Sequence, residues 1–411
     1  MKFSAALAGL VGLAFASPYT DTSNGLIARG GTCDWNSKNC CSYPDKYKDR
    51  PSAPKPKKYY GQGRTIHVKK GQKIQHAIKK ASPGDRIVVA AGTYSEQLVI
   101  DKDGIQLEGH GATLIQPDPK DLKKNACTGL TQDPQKNELP AGICITGRDV
   151  KTDNFITEHK KVTSVGKFVK GVSVTGFTVQ GFSGINIAVL GARNTRITNN
   201  KLVDGAAYGG LTLGSVNTVF YDNVVTSTKG AFIAICMDNK SDVFAEKNDI
   251  SNYAVGLCVQ TNGAVMEYNT LTSNCFGVIV DAGVKEAKIA HNYIGPTPPA
   301  CDKNAVGILL GSSIGVLVRD NTIEGQKASD GSGAGIRIYD DLCVATPEMP
   351  LSLACIVLGK AIKARDNVVI RNTLNNNDAD IQNLSKGSGN VIKCNTCKNE
   401  ANIKAGQCKK P

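Results

Sequence analysis

The alternation of hydrophobic and polar positions repeats along most of the chain with a period in the low twenties. From residue 193 onward one phrase returns, in which an apolar and two polar residues precede an asparagine and an aliphatic residue follows two positions after it. The asparagines of this phrase are Asn200, Asn223, Asn248, Asn269, Asn292, Asn321 and Asn367. The last interval is about twice the others, which predicts two coils with one asparagine missing.

A second phrase, Gly-apolar-any-apolar, follows most of these asparagines. Its copies are Gly210–Leu213, Gly256–Val259, Gly277–Val280, Gly307–Leu310 and Gly335–Ile338. Two short strands of period two in a repeat of fixed length indicate a solenoid. Because the chain turns at the same place in every coil, a stacked Asn amide can satisfy inward backbone groups and bond to the asparagines above and below. The pattern predicts an all-β parallel β-helix.

The start of the solenoid carries the pattern of a cap. Thr65–Val68 alternates as a strand, the turn Pro83–Asp85 leads into a second strand at Arg86–Ala90, and a short helix is predicted between them over Gly71–Ala81. The apolar residues of this helix, at helical spacing, are Ile74, Ala77 and Ile78. Such an N-terminal capping helix covers the open edge of the first coil, which would otherwise offer unpaired backbone groups to other chains.

Residues 65–115 resemble the N-terminal cap of the right-handed parallel β-helix superfamily, which includes pectin-lyase-like proteins, NosD-type repeat proteins and mannuronan epimerases. The matching features are the first strand, the helix Gln72–Ala81, the turn Pro83–Asp85 and Gly92–Tyr94 before an apolar strand. With the asparagines, the resemblance covers about residues 65–395. It implies a right-handed parallel β-helix solenoid. For function it implies only a class, because members include polysaccharide lyases, hydrolases, epimerases and non-enzymatic scaffolds.

No catalytic residue carries over from a particular enzyme family. Gly109–Gly111 and Arg337–Tyr339 resemble two motifs of the polygalacturonases, but they belong to distant coils and the acidic motifs between them are absent. The signatures of the pectate lyases and of the mannuronan epimerases are also missing. The resemblance therefore implies no site residues, and the candidate sites below rest on the residues of this chain alone.

The first sixteen residues have the pattern of a secretory signal peptide. Lys2 precedes the apolar run Ala5–Phe15, and Ala14–Ala16 has the small residues of a cleavage site. We expect a secreted, extracellular protein without a membrane span, because this run is too short to cross a bilayer and no later run reaches about 18 apolar residues. Residues 17–60 are predicted to form a pro-segment, a Cys-rich appendage and a Lys/Pro linker. Residues 61–397 form the β-helix, and residues 398–411 form a basic tail.

Fourteen cysteines in an exported chain indicate disulfides rather than a metal cluster. The pairs Cys127 with Cys144 and Cys343 with Cys355 are expected to staple loops. Cys394 and Cys397 have the spacing of a redox or zinc pair, but we interpret them as structural. The sequons at Asn239 and Asn383 are expected glycosylation acceptors. An alternative interpretation of Cys33–Tyr60 is a small carbohydrate-binding module, because that segment also contains aromatic residues.

The formal net charge of +13 suits an acidic polysaccharide, an anionic cell wall, a membrane surface or nucleic acid, and we expect an acidic polysaccharide or a cell-wall glycan as the partner. Aromatic residues make up only 6% of the chain and are not interleaved with a basic patch, so the sequence does not favour a nucleic-acid module. Part of the excess lies in Lys46–Lys58 and Lys398–Lys410, so a solubilising charge is the alternative. We expect a monomer.

Three long insertions are predicted to follow the asparagine turn in the late coils. They are Gly295–Asn304, Gly325–Ser332 and Leu342–Leu353. Loops inserted at one corner of stacked coils lie side by side, so they form a wall of the kind on which binding sites are commonly built. The alternative is loop growth without a function.

The first candidate site lies on the polar positions just before the asparagines. Lys247, Tyr268, His291 and Asp320 are predicted to stand on four consecutive coils, with Arg319 beside them. Asp320 would orient the imidazole, and His291 or Tyr268 would exchange a proton near neutral pH. Arg319 would neutralise a substrate carboxylate, and Lys247 would bind substrate. The alternative is a solvent-facing ladder of mixed charges.

The second candidate site follows the glycine strands. Arg337 is predicted to be catalytic and to face outward, at a position filled in other coils by Asn186, Thr212, Cys258, Ile279 and Leu309. Tyr339 and Asp281 are assigned to substrate binding. Asp340, Asp341 and Asp238 are assigned to a Ca²⁺ site, Ca²⁺ being the one cofactor that the carboxylates suggest. Paired carboxylates beside an arginine also suit glycoside hydrolysis. Turn-forming aspartates with a surface arginine are the alternative.

The leading functional hypothesis is a secreted carbohydrate-active protein that acts on a uronate-containing polysaccharide as a lyase or C5-epimerase. Such chemistry needs a base for the C5 proton, a cation for the carboxylate and an acid for the leaving oxygen. A non-catalytic β-helix that binds a cell wall or a host surface is the alternative. A glycoside hydrolase is the third option.

Overall fold

The computed structural model describes residues 63–155, 157–345, 351, 353–401 and 407–409. Over these residues the chain winds as a right-handed parallel β-helix, so the predicted fold class is confirmed. Each coil supplies a strand to sheet 1, then one to sheet 2 and then one to sheet 3. The predicted signal peptide, the pro-segment and the Lys/Pro linker lie outside the described residues.

The strands are short and are numbered in chain order. The first half comprises β1 (Thr65–Val68), β2 (Arg86–Val89), β3 (Gly92–Ser95), β4 (Leu98–Ile100), β5 (Gln106–Gly109), β6 (Ala112–Ile115), β7 (Ala141–Thr146), β8 (Arg148–Thr152), β9 (Val162–Lys167), β10 (Val169–Lys170), β11 (Ser173–Thr175), β12 (Thr178–Gln180), β13 (Ile185–Leu190), β14 (Ala192–Thr198), β15 (Lys201–Val203), β16 (Tyr208–Leu213), β17 (Val216–Tyr221) and β18 (Val224–Asp238). The second half comprises β19 (Ser241–Glu246), β20 (Asp249–Val259), β21 (Val265–Glu267), β22 (Thr270–Thr272), β23 (Phe276–Val280), β24 (Lys288–Ala290), β25 (Tyr293–Ile294), β26 (Val306–Gly311), β27 (Leu317–Arg319), β28 (Thr322–Glu324), β29 (Ala334–Tyr339), β30 (Val368–Ile370), β31 (Thr373–Asn375), β32 (Ala379–Asn383), β33 (Val391–Lys393), β34 (Asn395–Thr396), β35 (Glu400–Ala401) and β36 (Cys408–Lys409).

The pairings along the three sheets are parallel. Sheet 1 is ordered β1-β2-β5-β11-β14-β17-β19-β21-β24-β27-β30-β33, and β10 also pairs with β14. Sheet 2 runs β3-β6-β12-β15-β18-β20-β22-β25-β28-β31-β34-β36. Sheet 3 runs β4-β7-β13-β16-β18-β20-β23-β26-β29-β32-β35. The long strands β18 and β20 bend from sheet 2 into sheet 3. The strands β8 and β9 form an antiparallel hairpin beside the stack.

The first coil is capped by the predicted helix, α1, which spans Ile74–Lys80. Ile74 and the other two apolar residues of its periodic pattern are buried, as expected. The carboxylate of Glu96, from the next coil, accepts hydrogen bonds from the backbone N–H groups of Ile74 at 2.9 Å and Gln75 at 3.2 Å. These bonds satisfy two N–H groups that a helix N-terminus leaves without intrahelical partners. A second short helix, α2, spans Leu353–Leu358, and two 3₁₀ turns lie at Pro119–Asp121 and Pro299–Cys301.

The asparagine ladder predicted from the sequence is confirmed. Asn292 shows the pattern of a rung: its Oδ1 accepts from the backbone N–H and the Nδ2 group of Asn269, each at 2.9 Å. Its Nδ2 group donates to the oxygen of Met266 and to Oδ1 of Asn321, each at 3.0 Å. Residues just before the rungs adopt φ between 54° and 58°, a left-handed conformation that turns the chain from sheet 1 into sheet 2. They are Asn199, Asp222, Lys247, Tyr268, His291, Asp320 and Arg371.

Asn367 is not a rung of this ladder, so that prediction is wrong. The backbone N–H of Asn321 donates to Oδ1 of Asn372 at 3.0 Å, and that of Asn372 donates to Asn395 at 2.9 Å. Asn367 lies at another corner, where its N–H donates to Oδ1 of Asn390 at 3.1 Å. The long insertion between β29 and β30 lengthens this coil, and the interval to Asn367 fits two periods by coincidence.

The two disulfides expected from the sequence, Cys127–Cys144 and Cys343–Cys355, are confirmed. The structure adds Cys236–Cys258, Cys275–Cys301 and Cys397–Cys408. Cys394 is also disulfide-bonded, so it does not form a redox pair with Cys397. Within the described residues no helix has the length and apolar character needed to cross a bilayer.

Candidate functional site

The outer face of sheet 3 carries a row of polar side chains where its strands end. Asp238 ends β18, and Gln260 and Asp281 directly follow β20 and β23 in the next two coils. Gly311 follows in register, and it pairs with Tyr339 at the end of β29. The expected alignment of Asp238, Asp281 and Tyr339 along one edge is therefore present. The glycine leaves room for the phenol ring, because a Cβ at Gly311 would lie 2.9 Å from it.

The β8–β9 hairpin packs on the same outer face, beside this polar row. Val150 and Val162 of the hairpin belong to one apolar cluster with Leu190 and Leu213, which precede Asp238 in the row. Packing on these leucines removes apolar surface from water, which fixes the hairpin against the sheet. The described residues of the hairpin tip, 153–155 and 157–161, consequently lie across the polar ends of the next coils.

Two residues of the tip are fixed by the polar row. Lys161 Nζ lies 3.0 Å from Asp238 Oδ2 and also donates to the side-chain oxygen of Gln260. His159 is buried, with Nδ1 3.0 Å from the hydroxyl of Tyr208 and Nε2 3.4 Å from Asp238 Oδ2. Burial is the main reason that the pKa of His159 is lowered. Burial acts to raise the pKa of Asp238, but His159 and Lys161 hold it below its ordinary value.

A third residue of the tip, Glu158, forms a pair of carboxyl groups with Asp281. Gln260 Nε2 donates to Glu158 Oε2 at 3.1 Å. One oxygen of Glu158, one oxygen of Asp281 and the sulfur of Cys258 all lie within 4.8 Å of one another. Burial and the neighbouring Asp281 charge raise the pKa of Glu158 to about 8. Burial raises the pKa of Asp281 to about 6, against the opposing charge of Lys161.

These environments give the two carboxyl groups different states at neutral pH. Glu158 is mostly protonated and can donate a proton, whereas Asp281 is mostly ionised. Both side chains remain partly exposed, so the pair is not sealed inside the protein. Two titratable groups whose pKa values are separated by their surroundings are the arrangement used for acid–base catalysis.

The repeat pattern of the sequence does not indicate Glu158, His159 or Lys161 as site residues. They lie in a polar insertion that interrupts the repeat, and no periodic position reveals where an insertion folds back. The alternation of Val150 with polar neighbours before this stretch, and of Val162 after it, was the available signal for a hairpin.

Arg337 lies near this edge but is held by the protein. Its Nε donates to Gln382 Oε1 at 2.7 Å, and a terminal nitrogen donates to the carbonyl oxygen of Ser332. Only 6% of the residue is exposed, and burial lowers its pKa. Its register also differs from the expectation, because it aligns with Leu309 and, in early coils, with Leu211 and Ala188 rather than with Thr212 and Asn186.

Asp340 and Asp341, assigned to metal binding, point to separate partners. Asp340 accepts from the backbone N–H groups of Ala364 and Lys386, each at 2.8 Å, and from Ser385 Oγ at 2.6 Å. Asp341 lies within 4.8 Å of the sulfurs of the Cys343–Cys355 disulfide. Asp238 is already neutralised from the hairpin tip. Within the described residues these three aspartates therefore do not form one group of oxygen ligands, which Ca²⁺ requires.

The first predicted site forms a different arrangement, at the corner between sheets 1 and 2. Lys247, Tyr268, His291 and Asp320 stand on consecutive coils there. The rings of Tyr268 and His291 stack with centroids 4.8 Å apart and planes 4° from parallel. Arg319 Nη1 donates to His291 Nε2 at 2.9 Å, and burial together with the Arg319 charge lowers the pKa of His291. The imidazole is therefore neutral, with its proton on Nδ1.

Asp320 does not form the expected hydrogen bond to the imidazole. Its Oδ2 is 3.9 Å from His291 Nε2 and accepts from Arg319 instead. Arg371 donates to both carboxylate oxygens at 2.8 Å. Burial acts to raise the pKa of Asp320, but these two arginines hold it below its ordinary value. Lys247 is engaged too, donating to the hydroxyl of Tyr221 at 3.0 Å. The corner is a network of paired charges.

The carboxyl pair has a consequence for stability that can be measured. Because the pKa of Glu158 is about 8 in the folded chain and near 4.5 when unfolded, folding takes up protons between these values. We expect stability to fall as the pH rises from about 5 to about 8, and the Glu158→Gln variant to fall less steeply. Thermal unfolding of both proteins across this range measures the difference. Parallel curves would contradict the raised pKa.

The fold defines the class of the protein, which is that of the right-handed parallel β-helix proteins. The family model for the right handed beta helix region matches residues 233–407, and that for the periplasmic copper-binding protein (NosD) matches residues 130–296. No curated protein matches the chain in sequence.

Several solved structures are similar to this chain in fold. The A-module of a mannuronan C-5 epimerase from Azotobacter vinelandii is 14% identical, with 79% of this chain and 91% of that chain covered and a TM-score of 0.48. A periplasmic alginate epimerase is 11% identical over 79% of this chain and 83% of that chain, with a TM-score of 0.48. A family 28 exopolygalacturonase from Yersinia enterocolitica is 13% identical over 81% and 70% of the two chains, with a TM-score of 0.43. None of these similarities assigns an activity to this chain.

Proposed function

We propose that the protein is a secreted enzyme that acts on an acidic polysaccharide, and that Glu158 and Asp281 are its acid–base pair. The observation that carries the proposal is the approach of their carboxyl oxygens to within 4.8 Å, with the two pKa values separated. The net charge of +13 supports an anionic substrate. The N-terminal signal pattern and the disulfides support secretion.

This pair favours hydrolysis of a glycosidic bond. Glu158 donates its proton to the bridging oxygen while the bond from that oxygen to the anomeric carbon breaks. Asp281, at close range, forms a bond to the anomeric carbon, and water then releases the sugar after Glu158 has taken back a proton from that water. Carboxyl groups roughly 5 to 5.5 Å apart are typical of retaining enzymes, whereas inverting enzymes need a wider gap for a water molecule.

The second candidate function is the lyase or epimerase chemistry expected from the sequence. Lys161, which is paired with Asp238, also acts to lower the pKa of both Glu158 and Asp281, so a cation lies near the pair. A uronate bound there would have its carboxylate neutralised by Lys161, which makes the C5 proton easier to remove. Asp281 would accept that proton, and Glu158 would protonate the leaving oxygen.

The test is to incubate the secreted protein with pectate, alginate and glucuronan, with and without Ca²⁺, and with a neutral glucan as control. Reducing ends without ultraviolet absorbance at the new chain ends support hydrolysis. Unsaturated ends support a lyase. Without either product, C5 inversion is sought by NMR. A folded protein that produces none of the three changes contradicts the proposal, and retention on the polymer would then support the non-catalytic binding alternative.

A further inference from the structure

An exposed aliphatic patch lies on the insertion between β29 and β30, which packs on the coil that carries Asp281. Among the described residues, most of the large hydrophobic side chains with high exposure belong to this insertion or to the strand end beside it. They are Leu342 at 69%, Val344 at 68%, Val357 at 60%, Leu384 at 45% and Ile356 at 38%. Most exposed hydrophobic residues of a soluble protein are scattered singly, whereas a cluster of them marks an interaction surface.

The patch is held in place by covalent and polar contacts. The Cys343–Cys355 disulfide lies between Leu342 and Val344 on one side and Ile356 on the other. Asp340, two residues before Leu342, accepts from the backbone N–H of Lys386 at 2.8 Å and thereby ties in the segment that carries Leu384. The disulfide therefore holds the segment of Leu342 and Val344 beside α2, and the Asp340 contact links it to the segment that carries Leu384.

The helix α2 has one anchored face and one exposed face. Cys355 is buried, and Leu358 packs back onto the coil, where a Cβ added to Gly283 would lie 3.0 Å from it. Ile356 and Val357, between these two anchors, face solvent. Ile356 and Val357 are therefore not exposed because the helix end is unpacked, since the opposite side of the same short helix is buried.

Exposed basic side chains flank the aliphatic patch. Lys360 and Lys363 follow α2, and Lys386 follows Leu384. Arg365 is exposed too, but Asp366 neutralises it at 2.8 Å. Aliphatic residues enter the boundary between lipid headgroups and acyl chains, and lysines beside them are attracted to anionic headgroups.

We propose that the aliphatic patch docks the protein on an anionic lipid surface, with Leu342, Val344 and Val357 entering the headgroup region and the lysines contacting lipid phosphates. Aliphatic rather than aromatic side chains favour a lipid surface over a sugar ring, and the net charge of +13 favours an anionic one. The proposal does not depend on the carboxyl pair, and an inactive enzyme would still bind.

The test is flotation of the full chain with vesicles of phosphatidylcholine alone and of phosphatidylcholine with phosphatidylserine. We expect retention on the anionic vesicles and much less on the neutral ones. The double variant Leu342→Ser/Val344→Ser should weaken binding by about tenfold or more, because it removes the apolar groups that enter the interface. Lys360→Gln/Lys363→Gln should weaken binding mainly at low salt, where charges are least screened.

The matched control is Val224→Ser, which changes an aliphatic residue with 39% exposure on another side of the stack. It should bind as the parent does. Val357→Ser provides a second apolar variant if the double variant fails to fold, as judged by circular dichroism and thermal unfolding. A folded parent that stays unbound, or apolar variants that bind as tightly as the parent, would overturn the proposal. Sedimentation velocity could also overturn it. If the parent is a dimer and only the apolar variants are monomers, the patch binds a second copy of the chain and not a lipid surface.

Discussion

Replacing Glu158 by glutamine is expected to lower the rate of polysaccharide cleavage by about a hundredfold or more, because a positioned general acid typically contributes 10²- to 10⁴-fold. The amide keeps the shape of the side chain and can keep the hydrogen bond to Gln260, but it has no acidic proton to donate. Asp281→Asn should cause a comparable loss, because an amide neither attacks the anomeric carbon nor accepts a proton. Initial rates of product release measure both effects.

The control for these variants is Glu246→Gln. Glu246 is also a partly exposed carboxyl group whose pKa is raised mainly by burial, but it lies on sheet 1. The Glu246→Gln substitution should leave the rate of polysaccharide cleavage unchanged. His291→Gln and Arg337→Met test the two sites predicted from the sequence. If either of these lowers the rate while Glu158→Gln does not, the reaction takes place there and the carboxyl pair is not the acid–base pair.

The pH dependence of the rate gives an independent check. Cleavage requires protonated Glu158 and ionised Asp281, so the rate should be highest between the pKa values of about 6 and about 8. It should fall below that range as Asp281 gains a proton and above it as Glu158 loses one. In Glu158→Gln the alkaline fall should disappear.

The sequence was sufficient to predict the repeating part of the fold. An asparagine at Asn269 or Asn292 recurs because every coil turns at the same corner, and each turn leaves the same backbone groups to satisfy. The capping helix is predictable for a similar reason, since a period of 3.6 over Ile74–Ile78 has one local interpretation. Periodic constraints of this kind are local, so they can be recognised in the sequence without knowledge of the tertiary contacts.

The register of the late coils could not be predicted in this way. Once an insertion separates two coils, nothing local decides whether Asn367 or Asn372 continues the ladder, because both begin an Asn-x-aliphatic phrase. The error also affected the first candidate site. With Asn372 as the rung, Arg371 rather than Asp366 lies beside Asp320 and neutralises it.

The carboxyl pair was missed for a related reason. Asp281 was predicted to take part in a site because it lies in register with the segment that begins at Tyr339, and the structure places it beside Glu158. The partner comes from a hairpin tip more than a hundred residues earlier, and the packing of Val162 on sheet 3 brings it there. Such contacts depend on tertiary packing, which the pattern of a single sequence does not encode locally.

The second large effect is expected in stability, for Asn292→Ala. Asn292 is 2% exposed, and its side chain makes four hydrogen bonds to Asn269, Met266 and Asn321. Alanine leaves the buried N–H and Nδ2 of Asn269 and the oxygen of Met266 without these partners. Each unsatisfied buried group costs roughly 1 to 3 kcal/mol, and Asn269 Nδ2 keeps its hydrogen bond to the oxygen of Ala245, so we expect a loss near the lower end of the sum, about 3 to 5 kcal/mol. Chemical denaturation with a two-state fit measures it.

Asn262→Ala is the matched control, because Asn262 is exposed and accepts one hydrogen bond, from the backbone N–H of Lys285 at 2.7 Å. The Asn262→Ala variant should lose at most about 1 kcal/mol of unfolding free energy, since water can replace the amide oxygen there. The double variant Asn269→Ala/Asn292→Ala should cost less than the two single losses together, because the second substitution removes a group that the first had left unsatisfied. Equal losses for Asn292→Ala and Asn262→Ala would show that the ladder follows the turn without stabilising it.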